Sequence, residues 1–503
     1  MMTVNFRKTV LCLALAAAIG LGMAGGAWAQ GNPLSLMPET AQAAVFLPSV
    51  EFVEKQGAVA MTVPGVKENV NIEEVLGDLP SKLGVKDPTA LVEVFKAAGL
   101  ATDKPLAVFV ATTGTESQTV AGALPVADEK VATEKMKLIF TAKPEEITVG
   151  DAKGLFVKQE EIGYSIQGGY VFIGSTPEMI GQVAAKAKSP VTLAYMKADA
   201  PQEVAVVTSI DRLISGGILK TTLPNGANLA PTIDYLKSFI DEIVLGIGEQ
   251  NGEAYVRVGM HDPAGAVAAP ASALKLHGLF AGEAPIMVDL RNNAALIEKA
   301  RLLMMANPAL AKIGTYVMLA SQMLGDELAV AITGVNGKIP DGIVAATLAK
   351  PEQIVGLLGL AGIDTKAGPK YQQNGANVYV KENVTEGVNV YIALAGSLLM
   401  VSTNEATLKK AIDMLNADGT VKTGASALDP KLIAAAANGF VVLDPAKIPA
   451  AQLDALPKEV KELSASGKKL VVTLGNNAEW RELRLAVPGG FAGVAETVTK
   501  VTK

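Results

Sequence analysis

Cysteine is almost absent from this chain, and its scarcity excludes several kinds of protein. The 503 residues include one cysteine, Cys12, which lies in an apolar run near the N-terminus. The remainder of the chain therefore cannot form a disulfide, a thiolate metal site or a cysteine nucleophile. It must be held together by buried apolar surface, and its length is sufficient for two domains that each have a core.

Histidine and tryptophan are also scarce, which argues against several enzyme classes. The two histidines, His261 and His277, flank an Ala- and Pro-rich stretch. We expect them to be solvent-exposed or satisfied by groups at the edges of that stretch, because a catalytic histidine must be held rigidly by an orienting carboxylate. Two imidazoles without cysteine also make an incomplete zinc site. With Trp28 removed by cleavage, Trp480 is the only tryptophan, so platforms for stacking sugars are poorly supplied.

Excess positive charge and long uncharged apolar runs are missing from most of the chain. The sequence has 44 Lys and Arg against 50 Asp and Glu, a net charge of −6. Such a chain offers no electrostatic surface for nucleic acid or for an anionic membrane. The most apolar stretch beyond the N-terminus, residues 294–324, is interrupted by charged residues and a proline, which disfavours a bilayer span. We predict that the cleaved chain is not an integral membrane protein.

The N-terminus has the pattern of a secretory signal peptide over residues 1–29. Arg7 and Lys8 precede an apolar run rich in Leu and Ala, and the run ends in Ala-Trp-Ala. Small residues at the two outer positions suit signal peptidase, so we predict cleavage after Ala29 with Gln30 as the new first residue. The predicted location is the periplasm or the extracellular space.

The rest of the sequence is similar to itself at an offset of more than 200 residues. Six pairs of segments occur in one order, which predicts two tandem homologous modules and not a solenoid of short repeats. We assign residues 30–262 to the first module, 263–278 to an Ala/Pro-rich connector, 279–490 to the second module and 491–503 to a C-terminal tail. The paired segments begin at Ala44 and Pro285, Leu106 and Leu328, Val120 and Val344, Phe156 and Tyr379, Ser175 and Ser402, and Ile243 and Leu470.

The fold class predicted for each module is α+β, with a largely antiparallel, curved sheet and helices packed on one face. Short β-rich runs follow one another closely, and Asn251-Gly252 between two of them is a strong hairpin signal. In the first module the predicted strands are 43–47, 106–111, 119–125, 155–158, 163–167, 170–174, 203–209, 243–249 and 253–260.

Several helices in this pattern have recognisable starts. Ser175 and Ser402 each precede a glutamate by three residues, the spacing of a capping box. We also expect Ser209 and Asp444 to be N-cap residues.

Short motifs that resemble catalytic or metal-binding sequences are better explained as turns. Residues 466–469 match S-x-x-K and 422–424 match K-T-G, but their order is wrong for a penicillin-binding enzyme and the S-D-N element is missing. Residues 416–419 resemble part of a calcium loop that lacks its first ligand and its closing glutamate. Paired acids are adjacent, so they point in different directions. We predict no catalytic residue, no metal ligand and no cofactor.

A concentration of methionine in the second module has two interpretations. Met304, Met305, Met318 and Met323 lie close together among leucines. Methionine is flexible and polarisable, which suits a groove for an apolar ligand. The alternative is that these residues fill the core, and we favour it because soluble proteins rarely leave large apolar patches exposed.

The segments Tyr170–Ile180 and Leu398–Asp413 each read as a strand followed by a capped helix. This pattern resembles one found in uncharacterised exported bacterial proteins with a duplicated α+β module, a domain of unknown function. The resemblance implies an envelope or extracellular protein, and it carries over no catalytic residue.

The leading functional prediction is an exported, non-catalytic binding protein or envelope scaffold with an envelope or extracellular partner of unknown identity. One alternative is a carrier of a lipid or another apolar small molecule. A second alternative is a periplasmic hydrolase that uses dispersed carboxylates or a Ser–Lys pair. The hydrolase alternative predicts convergent polar residues in a pocket of one module, with changed counterparts in the other.

Overall fold

The computed structural model divides the chain into two compact units. The first unit comprises residues 1–233, 237–263 and 488–503, and the second comprises 234–236 and 264–487. Ala29, Gln30 and the tail 491–503 lie outside the described residues, as do Met304, Met305 and Met318. The residues that the structure describes are 32–60, 76–87, 89–113, 117–149, 152–196, 203–216, 219, 230–250, 252–263, 273–280, 284–292, 323–336, 339–360, 362–385, 388–422, 428, 436, 438–453, 461, 464–465, 467, 469–477 and 479–490.

Ten described strands of the first unit form an antiparallel sheet. They are β1 Ala43–Leu47, β2 Leu106–Thr113, β3 Ser117–Pro125, β4 Glu145–Val149, β5 Ala152–Val157, β6 Ile162–Gln167, β7 Tyr170–Gly174, β8 Glu203–Thr208, β9 Glu242–Gln250 and β10 Glu253–His261. Their hydrogen-bonded order is β10-β9-β8-β1-β2-β3-β7-β6-β5-β4. The end strands β10 and β4 do not pair with one another, so the sheet is open.

Ten strands of the second unit pair in the corresponding order, β20-β19-β18-β11-β12-β13-β17-β16-β15-β14. These labels run along the chain, as in the first unit. The strands are β11 Ile286–Arg291, β12 Leu324–Asn336, β13 Ile339–Leu348, β14 Tyr371–Gln373, β15 Ala376–Thr385, β16 Val388–Ala395, β17 Leu398–Ser402, β18 Gly439–Leu443, β19 Leu470–Asn477 and β20 Trp480–Pro488.

Helices occur between these strands, which confirms the α+β class. The described α-helices are α1 Val50–Ala60, α2 Leu79–Leu83, α3 Leu91–Ala97, α4 Glu129–Lys135, α5 Pro177–Lys186, α6 Ile210–Ser215, α7 Ala230–Lys237, α8 Pro351–Leu360, α9 Glu405–Asp413 and α10 Ala450–Leu453. Short 3₁₀ helices span Pro33–Leu36, Met136–Ile139, Ala194–Met196, Leu276–Phe280 and Pro445–Lys447. No described helix is long and apolar enough to cross a membrane.

The helices pack on both faces of each sheet. The sequence leads us to expect helices on one face only. In the first unit, α1 and α3 pack on the face that carries Val45 and Val108. The helix α5 packs on the opposite face, where Ile180 approaches Gly174 and Ala121. The runs of alternating apolar residues are buried on both sides of the pleat, which requires cover on both faces.

The predicted capping boxes begin one or two residues too early. Thr176 is the N-cap of α5, and its hydroxyl accepts a hydrogen bond from the Met179 amide at 3.1 Å. The Ser175 hydroxyl instead accepts from the amide of Val120 at 3.0 Å. Both residues can cap a helix, so the sequence pattern alone does not decide between them.

In the second unit the corresponding cap is Asn404, whose side chain accepts from the amides of Ala406 and Thr407. Ser402 donates to the Gly342 carbonyl at 2.7 Å. The prediction for Ser209 is confirmed, since its hydroxyl accepts from the Arg212 amide at 3.2 Å. Asp444 begins a 3₁₀ helix without a capping hydrogen bond from its side chain.

Candidate functional site

Two neighbouring strands place a pair of carboxyl groups on one buried face of the second unit. Asp289 of β11 pairs with Ala329 of β12, and Glu327 lies two residues before Ala329. Residues two apart on a strand share a face, so the two acids are diagonal neighbours. The alternation of β11 also places Met287 on this face, within the main core of the unit. Asp289 is fully buried and Glu327 is 5% exposed.

The 3₁₀ helix Leu276–Phe280 and the preceding Lys275 bring a histidine ring and three backbone amides to these acids. The backbone amide of His277 donates to Asp289 Oδ2 at 2.8 Å, and His277 Nδ1 lies 2.9 Å from the same oxygen. The amides of Lys275 and Leu276 donate to Glu327 Oε1, both at 2.5 Å. The short helix therefore anchors to both carboxyl groups through its own backbone.

The ring of His277 is held in place on its other side by the core. It meets Phe440 of β18 edge to face, with 5.5 Å between the ring centroids. His277 is 4% exposed. Of the two states expected for this histidine, solvent exposure is excluded and satisfaction by a neighbouring group is found. The last residues of the predicted connector, 276–278, belong to a fully buried helix and not to an extended linker.

The electrostatics of the acid pair favour a protonated Glu327. Burial, followed by the negative charge of Asp289, raises the pKa of Glu327 from 4.5 to about 8. The amides of Leu276 and Lys275 act in the opposite direction, since they stabilise the charged form. Glu327 is therefore the carboxyl group of the pair whose charged form is disfavoured at neutral pH.

One oxygen of this cluster is buried without a hydrogen bond. Asp289 Oδ1 has no partner, whereas Oδ2 has His277. An unsatisfied buried acceptor costs about 1–3 kcal/mol, and more for a charged group. One oxygen of Asp289, one oxygen of Glu327 and one ring nitrogen of His277 lie within 4.8 Å of one another. Within the described residues, this is the only group of three or more such side chains able to hold a metal ion.

A pocket of about 500 Å³ opens onto this cluster. His277 and Glu327 contribute to its wall, and Asp289 lies behind them. The lining combines apolar and polar groups, which is typical of small-ligand sites. The remaining lining residues are Ala273, Leu274, Lys275, Leu276, Gly278, Asp326, Thr347, Ser397, Leu398, Asn416, Gly419, Thr420, Val421 and Lys422.

The turn at residues 416–419, which resembles a calcium loop, is part of this pocket. The Gly419 amide donates to the Asn416 carbonyl at 3.0 Å, and the Thr420 amide donates to Asp418 at 3.0 Å. Leu415 and Val421 form an isolated bridge on either side. The interpretation as a turn that follows a helix is confirmed.

The strand registers identify which residues of the first unit correspond to the cluster. If the N-caps Thr176 and Asn404 are equivalent, the pairings across each sheet make Phe46 equivalent to Asp289. The same registers bring Ser209 onto Asp444. The equivalence of Phe46 and Asp289 differs by two residues from the sequence alignment, which pairs Ala44 with Pro285.

The first unit has no counterpart of the acidic cluster. Phe46 stands in place of Asp289, and Pro105 stands in place of Glu327. The 3₁₀ helix Pro33–Leu36, which precedes β1, contains no histidine. The cluster is therefore a feature of the second unit, on a framework whose strand order both units share.

The first unit buries a different set of polar groups, and these satisfy one another. Glu203 is fully buried and forms a two-point ion pair with the guanidinium of Arg257. Tyr195 donates from its hydroxyl to Glu203 at 3.2 Å. Such a closed network is typical of a structural ion pair.

His261 is also buried and paired with a carboxylate, so of the two states expected for it the satisfied one is found and the exposed one is not. It is 7% exposed, and its Nδ1 lies 2.6 Å from Asp241. Unlike Asp289, Asp241 has an exposed carboxyl group, with 57% of its side chain accessible. The carboxylate of the neighbouring Glu242 accepts hydrogen bonds from the amides of Ala194 and Tyr195.

Of the four methionines that could form an apolar groove, Met323 alone lies within the described residues. Met323 is partly buried against a cluster that includes Ile354 and Leu358 of α8. Met304, Met305 and Met318 lie outside the described residues, so the groove stays a prediction.

Comparison with protein-family models and with curated protein sequences finds no match. Solved structures with some likeness are crystal forms of the protein TP0453. Form IV has a TM-score of 0.26 and 14% identity over 47% of this chain and 83% of that chain. Form III has a TM-score of 0.24 and 13% identity over 48% and 84%. These TM-scores are too low to support an argument about function, and the resemblance to uncharacterised exported proteins stays a prediction.

Proposed function

We propose that this chain is an exported, non-catalytic binding protein whose ligand occupies the pocket of the second unit. The observation that carries the proposal is the buried cluster of His277, Asp289 and Glu327 beside that pocket. An ionisable cluster in a core costs free energy, and the equivalent positions of the first unit avoid that cost. A binding role accounts for keeping the cluster in one unit only.

The polar lining favours a small polar ligand over a lipid. Lys275, Asp326 and Thr347 lie at the pocket together with the cluster. An apolar ligand would remove these groups from water without offering them a hydrogen bond, which lowers affinity. We also propose that the two units derive from one ancestral module, and that only the second acquired the site.

The test is native mass spectrometry of the full chain after gentle isolation, with a variant that blocks the pocket. Ser397 is exposed at the pocket, so Ser397→Trp fills the entrance with little effect on the core. Ser189→Trp is the matched control on an exposed serine of the first unit. We expect a bound small molecule in the wild type and in Ser189→Trp, and its loss in Ser397→Trp. Unliganded masses for all three proteins, after incubation with a library of polar metabolites, would contradict the proposal.

A second candidate function, hydrolysis, is favoured by the same cluster. Two carboxyl groups and an imidazole converge in one unit, as the hydrolase alternative requires. However, Asp289 is sealed from the pocket and Glu327 Oε1 already accepts two amides, which suits anchoring more than proton transfer to a substrate. A panel of p-nitrophenyl esters, phosphates and glycosides separates the two functions. Turnover that is lost in Glu327→Gln and kept in His261→Gln would favour the hydrolase.

A further inference from the structure

We propose that His277, Asp289 and Glu327 bind one divalent transition-metal ion, with Zn²⁺ as the ion to test. This inference deepens the proposed function, on which it rests, because the ion would lie between the pocket and the core. One nitrogen and two oxygens make a donor set that suits Zn²⁺ and its neighbours in the first transition row. Three protein ligands also leave a position open toward the pocket.

The buried carboxyl groups of the cluster favour the binding of a cation. Two buried carboxyl groups and an imidazole offer three ligand atoms, and a divalent ion would neutralise the carboxylates that bind it. Buried charges in proteins are generally paired or coordinate metals. The described cations at the pocket are Lys275 and Lys422. Lys422 directs its ammonium group to the carbonyl of Asp413 at 2.5 Å. Arg291 lies opposite Glu327 in the register of β11 and β12, and its guanidinium is 3.9 Å from Asp326.

The unpartnered oxygen is the independent observation that points to a ligand. Asp289 Oδ1 is buried without a donor, on a side chain that is fully inaccessible to solvent. A metal ion bound by Asp289 would give the carboxylate a partner of the right charge. The ligand atoms lie within 4.8 Å of one another, and atoms bound to one zinc ion lie about 3.5 Å apart given zinc–ligand distances of about 2.0–2.2 Å.

The contacts that would orient the three ligand side chains are already present in the fold. The amides of Lys275 and Leu276 fix Glu327, the amide of His277 fixes Asp289, and Phe440 fixes the imidazole ring. Such contacts orient metal ligands and reduce the cost of assembling them. The donor set also predicts selectivity, since Ca²⁺ requires six to eight oxygen ligands and does not favour imidazole.

Zinc binding to the full chain is measured by equilibrium dialysis with elemental analysis, after removal of metals with a chelator. We expect one Zn²⁺ per chain in the wild type. Asp289→Asn and Glu327→Gln should each weaken binding by at least about 10-fold. His261→Gln is the matched control, because it removes the other buried histidine with an aspartate partner and should bind as the wild type does. Excess Ca²⁺ should not compete.

Failure of this proposal can be distinguished from failure of the proposed function. Ser397→Trp should lose the small ligand and keep its zinc. If a small ligand binds but no zinc is retained, the metal site is wrong and the binding function stands. Equal zinc retention in the wild type, Asp289→Asn and Glu327→Gln would also overturn the metal site.

X-ray absorption of the zinc-loaded wild type needs no variant, so it stays informative if either substitution prevents folding. We expect a first shell of nitrogen and oxygen that includes one imidazole. A shell without imidazole would contradict the assignment.

Discussion

Asp289 in the second unit and Phe46 in the first occupy equivalent positions of the two sheets, and both are fully buried. Phe46 meets the ring of Tyr195 edge to face, with 6.1 Å between centroids. Asp289 instead accepts a hydrogen bond from the amide of His277. One position thus carries an aromatic contact in one unit and an ionisable cluster in the other, and packing alone gives no reason for the difference.

The stability of the metal-free protein should fall as the pH rises from about 5 to 8. Folded Glu327 keeps its proton up to a pKa of about 8, whereas the unfolded chain loses it near the ordinary value of 4.5. Between these values the folded state binds more protons, so the free energy of unfolding decreases with pH, by at most about 1.4 kcal/mol per pH unit. Glu327→Gln should remove this part of the slope. Urea unfolding of both proteins at pH 5, 6.5 and 8 measures it, and identical slopes would contradict the assignment.

Removal of Glu203 should destabilise the first unit strongly. Glu203→Gln leaves the buried guanidinium of Arg257 without its carboxylate, and breaking such a pair costs about 3–5 kcal/mol. The exposed pair of Lys153 and Glu146 is the control, and Lys153→Met should change stability by less than about 1 kcal/mol. Chemical denaturation monitored by circular dichroism gives both values. Comparable small losses would show that the buried pair is not essential to the unit.

The position of the helix cap can be tested with two alanine substitutions. Thr176→Ala removes the hydroxyl that accepts from the Met179 amide, and we expect a loss of about 1 kcal/mol. Glu178→Ala should cost less than about 0.5 kcal/mol, because its carboxylate makes an exposed contact with Gln182 and does not close a capping box. Thermal unfolding distinguishes the two. The reverse ranking would restore the capping box expected from the sequence.

Two glycines should respond to alanine in opposite directions. Gly181 lies within α5 with nothing within 4 Å of an added methyl group, so Gly181→Ala should stabilise by about 0.5–1 kcal/mol. At Gly154 of β5 the methyl group would lie 2.5 Å from the Tyr164 carbonyl oxygen. We expect Gly154→Ala to destabilise by about 1–3 kcal/mol, as overpacking does. Midpoints of urea unfolding measure both effects, and a neutral Gly154→Ala would mean that β5 and β6 can separate locally.

Much of the sheet could be predicted from the sequence because its strands have strong local signals. The predictions for Ala43–Leu47 and Tyr170–Gly174 coincide with β1 and β7, since both are apolar runs bounded by turn residues. The predicted hairpin is confirmed, as Gln250 pairs with Glu253 around a glycine with φ of 78°. Strand β4, Glu145–Val149, was not predicted, because its two leading acids hide the β pattern and its pairing with β5 is a tertiary contact.

The candidate site could not be predicted because its three residues are distant in sequence and meet only through strand register. The sequence associates His277 only with His261, at the two edges of the predicted connector, and does not link it to the two acids. A usable signal was present at Asp289, a single acid two residues after Met287 in an apolar strand. Alternation places such an acid on the core side, where a lone carboxylate requires a partner.

The metal site is tested most directly by the anomalous diffraction signal of crystals of the full chain grown with Zn²⁺, collected on both sides of the zinc absorption edge. We predict one strong peak at the pocket of the second unit, within about 2.5 Å of donor atoms of His277, Asp289 and Glu327. No peak there, or a peak only at surface residues such as Asp241, would contradict it.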